Sequence, residues 1–166
     1  MSAPAASGAA SPRRPTGFRA FLIVWSGQLT SILGTGMTTF VVIFFAFQVT
    51  QSATVLALIA LAAFLPTVLF SPFAGTWVDR WNRKLVLVLA DLGAGVSTAF
   101  LLVLLLLGRL EVWHLYPAVA ISGAFSAFHF PAYSAAVTLM IPKQHYARAS
   151  GMISMAGSLG MILAPI

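Results

Sequence analysis

The sequence predicts an all-α membrane protein, a bundle of about five transmembrane helices. Three observations carry this. Hydrophobic residues make up 60% of the 166-residue chain and charged residues only 7%, whereas a soluble domain carries roughly 25% charged residues. The apolar residues gather in five runs, at 20–47, 53–74, 85–107, 115–141 and 149–166, each near or above the ~20 residues that cross the hydrocarbon layer at ~1.5 Å per residue. The cations stand in the gaps between the runs. A β-barrel would need strands of about ten residues with alternating polarity, and LVLVLADLGAGVSTAFLLVLLLL does not alternate.

Residues 1–17 are small, polar and proline-bearing, the composition of a disordered tail. The bundle then takes 18–166. The first run, 20–47, carries no charge and is too long for the apolar core of a secretory signal. The second, 53–74, is uncharged and follows the short turn QVTQS. The third, 85–107, holds one charge, Asp91. The fourth, 115–141, has no formal charge and one histidine, His129. The fifth, 149–166, runs to the last residue.

The cations set the orientation. Arg13, Arg14 and Arg19 precede the first run; Arg80, Arg83 and Lys84 lie between the second and third; Lys143 and Arg148 lie between the fourth and fifth. The opposite side has Arg109 alone, offset by Glu111. The N-terminus is therefore expected in the cytoplasm of a multi-pass cell-membrane protein whose first partner is the lipid bilayer. The net charge of +6 is spread over these gaps and builds no basic face, so no nucleic-acid partner is expected. Without cysteine there is no disulfide, thiolate metal site or cysteine nucleophile. No phosphate-cradling glycine loop, metal-ligand spacing or nucleophile–base pattern is present either, so no enzyme, no metal and no cofactor are expected.

The most specific feature is GTWVDRWNRK, Gly75 to Lys84, read as the loop after the second helix. Gly75 at the helix end permits close backbone approach or a tight turn. Asp79 can cap a helix or pair with arginine. Arg80, Arg83 and Lys84 hold the loop at the inner leaflet and can meet anionic lipid heads. On the third helix, Asp91 lies about 9 Å past Leu85, with Lys84 two turns below on about the same face. An intramembrane carboxylate is costly; it is read either as a packing and latch-support group or as a proton relay. His129 is read as a hydrogen-bonded interior residue, a proton-coupling group or a solute contact. Nothing in the sequence pairs Asp91 with His129 as a catalytic dyad. Ala156, Gly160 and Ala164 form a small-residue face suited to close helix packing. Pro66, Pro72, Pro131 and Pro165 can bend helices.

With these residues the chain resembles the major facilitator superfamily. Gly75, Asp79, Arg80 and Arg83 occupy key positions of the family's signature between helices 2 and 3, with Asn82 where many members have glycine. GQLTSILGTGM, LPTVLFSPFAGTWVDR and FHFPAYSAAVTLMIPKQHYARASG are similar to the efflux branch that includes macrolide and enterobactin exporters. Gly160, Ala164 and Pro165 resemble the start of an antiporter motif, with alanine for its second glycine. The resemblance implies the N-terminal half of a twelve-helix bundle, truncated in helix 5, whose C-terminal half is missing. It implies a cytoplasmic conformational latch at Gly75, Asp79, Arg80 and Arg83. It implies a central cavity lined by helices 1 and 4, for which Gln28, Ser31, Thr35 and Thr38 offer a polar stripe and Phe125, His129 and Tyr133 an aromatic one. The helix-4 arginine common in proton-coupled exporters has no equivalent. The expected function is export of amphipathic small molecules by alternating access, against entry of a coupling proton at Asp91 or His129. Two other readings stay open: a membrane-embedded interaction protein that transports nothing, and a small homo-oligomeric transporter.

Overall fold

In a computed structural model, residues 18–163 are described, and they form five long helices. These are α1 (Phe18–Thr50), α2 (Ala53–Arg80), α3 (Arg83–Leu106), α4 (Val112–Met140) and α5 (Tyr146–Leu163), with a single 3-10 turn, Lys143–His145, before α5. No strand is present among the described residues. The predicted tail and residues Ala164 and Pro165 lie outside them.

Every helix extends beyond its apolar run on at least one side, because helical hydrogen bonding continues into polar sequence that needs no lipid. The largest departure is at residues 75–84. The expected loop is mostly helix: Gly75 to Arg80 are the last turns of α2, and Arg83 and Lys84 open α3. Only Trp81 and Asn82 break the chain direction. Asn82 caps α3 by accepting the Lys84 amide at 3.1 Å. Gly75 therefore ends no helix, and a Cβ there would meet open space. At the other end, the α1–α2 turn is Gln51–Ser52, with Gln51 at φ 48°, and the α3–α4 turn bends at Gly108, φ 65°. The prolines inside α2 and α4 leave both helices continuous.

Of the five expected spans, α1, α2 and α3 are long and apolar enough to cross a membrane. α4 is as long but richer in small and polar residues, for a packing reason. It lies against both α2 and α3 and buries Ala118, Gly123, Ala127, Ala132 and Ala136, so it needs small side chains where a lipid-facing helix needs leucine. A Cβ at Gly123 would fall on the Ala63 carbonyl of α2, and one at Gly93 of α3 would fall on the Phe125 ring of α4. Thr67 of α2 donates to the Gly123 carbonyl at 2.8 Å. These contacts make α2, α3 and α4 one close-packed group.

α5 packs instead on α1. Trp25 Nε1 donates to the Met152 carbonyl at 2.9 Å, Ala156 is buried, and a Cβ at Gly160 would strike Ile32. The bundle thus has two parts, α2–α3–α4 and α1–α5, with only light packing between α1 and α3. Two apolar cores stand at opposite ends. One contains Phe21, Val78, Leu87, Tyr133 and Ile141, near the basic turns; the other contains Val42, Ile59, Leu101 and Leu115.

Candidate functional site

Between the two cores, the carboxylate of Asp91 on α3 gathers three side chains from two other helices. Gln28 Nε2 of α1 donates to Oδ2 at 2.9 Å. Ser31 Oγ of α1 donates to Oδ1 at 3.0 Å. His129 Nε2 of α4 stands 3.4 Å from the same Oδ1. The geometry follows from helix spacing. Gln28 and Ser31 are three residues apart, so they share a face of α1, and Asp91 meets that face. A carboxylate only accepts hydrogen bonds; every group around this one can donate. The Asp91 side chain is 30% exposed, so the charge is held in the bundle by partners rather than by bulk water. Lys84 makes no ion pair with it: two turns of separation place the ammonium at the basic end.

Gln28 is itself 6% exposed, and its Oε1 has no partner among the described residues. The carboxylate fixes the amide with its NH2 toward Asp91 and leaves the carbonyl oxygen orphaned. The Tyr133 hydroxyl is a second buried group without a partner among the described residues.

One helical turn from this layer, toward the less basic end, lies a cavity of about 670 Å³. α1, α2, α3 and α4 all line it, so it occupies the seam between α1 and the close-packed group. Ser31 is followed by Thr35, Asp91 by Ala94, and His129 is preceded by Ser126, each of the second residues lining the cavity. Offsets of three or four residues put the carboxylate about 5–6 Å below the cavity floor. The lining holds eight hydroxyl side chains and no formal charge. Thr38, Thr39, Thr98 and Ser97 donate to carbonyls of their own helices, so what they present to the cavity is oxygen lone pairs.

Of the seven residues expected to line such a cavity, Thr35 and Thr38 do. Gln28, Ser31 and His129 sit one turn lower, on Asp91. Phe125 packs on Gly93, and Tyr133 belongs to the core at the basic end; neither lines the cavity. Thr39, Thr67, Ser97, Thr98, Ser122 and Ser126 complete the hydroxyl lining, and sequence reading missed them. For Thr39, Ser122 and Ser126 the signal was present as hydroxyls at four-residue steps, Thr35–Thr39 along α1 and Ser122–Ser126 along α4.

The signature residues occupy a separate corner. Asp79 is exposed and meets Arg83 Nη2 at 3.7 Å. Arg80 is exposed and makes no ion pair among the described residues. Trp77 and Trp81 stack on this corner at 6.1 Å between ring centroids. No group of three or more metal-ligating side chains occurs among the described residues.

The family model described as Major Facilitator Superfamily matches residues 24–166. Macrolide efflux protein A of Streptococcus pyogenes is 30% identical over 145 residues, 87% of this chain and 36% of that protein. Macrolide efflux protein A of Enterococcus faecalis is 32% identical over 114 residues, 69% of this chain and 35% of that protein. Multidrug resistance protein 2 of Bacillus subtilis is 30% identical over 145 residues, 87% of this chain and 35% of that protein. The chain spans about a third of the length of these curated relatives. No solved structure matches it.

Proposed function

Because this chain belongs to the Major Facilitator Superfamily, we propose that it is the N-terminal part of a secondary active transporter that exports drugs or other amphipathic small molecules. The cavity carries this reading. A space of about 670 Å³ is in the range of small-molecule sites, and an apolar wall with hydroxyl oxygens suits a solute with both greasy and polar parts. Relatives named for macrolide efflux and multidrug resistance support the export direction.

In this reading, two halves rock about a midplane site, and this chain supplies α1 to α5 of one half in the cell membrane. Its N-terminus faces the cytoplasm, as the grouping of Arg19, Arg80, Arg83, Lys84 and Arg148 at one end supports. The cavity then lies in the outward half of the bundle. A coupling proton binds at the Asp91–His129 pair, where a carboxylate and an imidazole meet 3.4 Å apart. The corner at Gly75, Asp79, Arg80 and Arg83 acts as the latch toward the other half. Its exposed Asp79 carboxylate, met among the described residues by Arg83 alone, leaves room for such a contact.

The test is drug-efflux measurement in proteoliposomes with an imposed proton gradient. Gradient-dependent efflux is expected when the chain is joined to a second half supplied by its coding region downstream of Ile166, and none from the 166 residues alone. Efflux by the chain alone would instead support a small homo-oligomeric transporter. No efflux from either form would favour a membrane-embedded interaction protein.

A further inference from the structure

The seam between α1 and α2–α3–α4 holds both the cavity and the Asp91 layer, and packing across it is uneven. α2, α3 and α4 interlock through Gly93, Gly123 and Thr67, while α1 is fastened to α5 through Trp25 and Gly160. Between α1 and α3 the packing is sparse, and the side-chain hydrogen bonds joining them are the two that Gln28 and Ser31 donate to Asp91. From this we propose that Gln28 and Ser31 are positioning residues: through Asp91 they hold α1 against α3 and α4 and set the width of the solute cavity one turn away. Neutralising the Asp91 carboxylate loosens that hold and widens the seam.

The chemistry gives the direction. Hydrogen bonds to a charged carboxylate are roughly twice as strong as neutral ones. Protonation removes the charge and adds an O–H to a group surrounded by donors, so at least one donor must turn. Gln28 is built to do so. Its orphaned, buried Oε1 gains a donor when the amide rotates and accepts the carboxyl O–H. The charged state alone holds the amide in the arrangement that leaves Oε1 unpaired.

The groups facing Asp91 from each packed element are few. α4 contributes His129, 3.4 Å from Oδ1; Tyr133, a turn along, is buried in the core at the basic end. α1 contributes Gln28 and Ser31, which do not titrate, and carries Arg19 at its basic end. Arg83 and Lys84 lie about two turns below on Asp91's own helix. Asp79 and Arg80 of α2 lie at the basic corner, where Arg83 meets Asp79. On α5, Arg148 sits 4.9 Å over the Phe18 ring.

The inference rests on the reading of the cavity as the solute site, but its test needs no transport. Val41 of α1 and Leu102 of α3 are exposed and both line a second, narrower cleft of about 220 Å³ where α1 meets α3. The chain has no cysteine, so Val41→Cys with Leu102→Cys places two spin labels there without background. Distances are measured by electron paramagnetic resonance on the 166-residue chain in lipid nanodiscs at pH 7. Asp91→Asn, a mimic of the neutral group, is expected to lengthen the distance by about 2 Å or more, and Ser31→Ala to lengthen it less. Asp91→Asn held at the short distance overturns the proposal. Should Asp91→Asn lose its helical circular dichroism, Gln28→Met decides: the long distance supports the clamp, the short one contradicts it. Failed export with an intact distance response would sink the transport reading alone; a flat response with working export would sink only this one.

Discussion

Two carboxylates on either side of the α2–α3 turn live differently. Asp79 is 73% exposed and meets one arginine four residues along the chain at 3.7 Å, while Asp91 is 30% exposed and meets three side chains from two other helices. The first is a local pair in water, where side-chain entropy and screening cancel most of the attraction. The second replaces water with protein donors, and its removal leaves those donors stranded. Sequence motif and energetic weight therefore separate: the signature corner carries the recognisable pattern, and Asp91, outside that pattern, carries the tie between helices.

The comparison is broken most severely by Asp91→Leu, which strands the buried Gln28 amide. A loss of about 1–3 kcal/mol is expected, read by denaturation from mild detergent into sodium dodecyl sulfate. His129→Leu removes the longest of the three contacts and leaves Gln28 and Ser31 in place; a loss of about 1 kcal/mol is expected by the same assay. Ser31→Ala keeps the carboxylate and its Gln28 bond, with an expected loss of about 0.6 kcal/mol, the average for interhelical hydrogen bonds in a membrane protein. Asp79→Asn is expected to change stability by no more than about 0.5 kcal/mol. If the corner is a latch, the same variant joined to its second half slows efflux in proteoliposomes without loss of folded protein. Equal stability losses at Asp79 and Asp91 would erase the distinction.

Much of the fold was legible because lipid imposes a simple rule: long apolar runs are helices. The same rule misplaced the α2–α3 corner. Counting apolar residues measures a hydrocarbon crossing, whereas Thr76 to Arg80 contain nothing that breaks a helix and continue α2 in polar sequence. The cavity was half legible. Gln28, Ser31, Thr35 and Thr38 do form one stripe, but a stripe does not reveal that a carboxylate on α3 meets its lower half. On α4 the stripe itself misled. Each four-residue step turns about 40° past a full circle, so Phe125 and Tyr133 lie on different sides of His129, one against α3 and the other in the core at the basic end. The Asp91–His129 meeting was illegible, since it depends on the relative register of α3 and α4, which Gly93 and Phe125 fix in three dimensions.

The claim that Asp91 binds α1 through Gln28 is tested most directly by a double-mutant cycle on unfolding in detergent. Gln28→Met and Asp91→Leu should each destabilise the chain, because each strands the other's polar group, and the double variant should be more stable than the two single losses combined by about 1 kcal/mol. Strict additivity of the two losses would mean that the two side chains do not hold each other, and that α1 is fastened by something else.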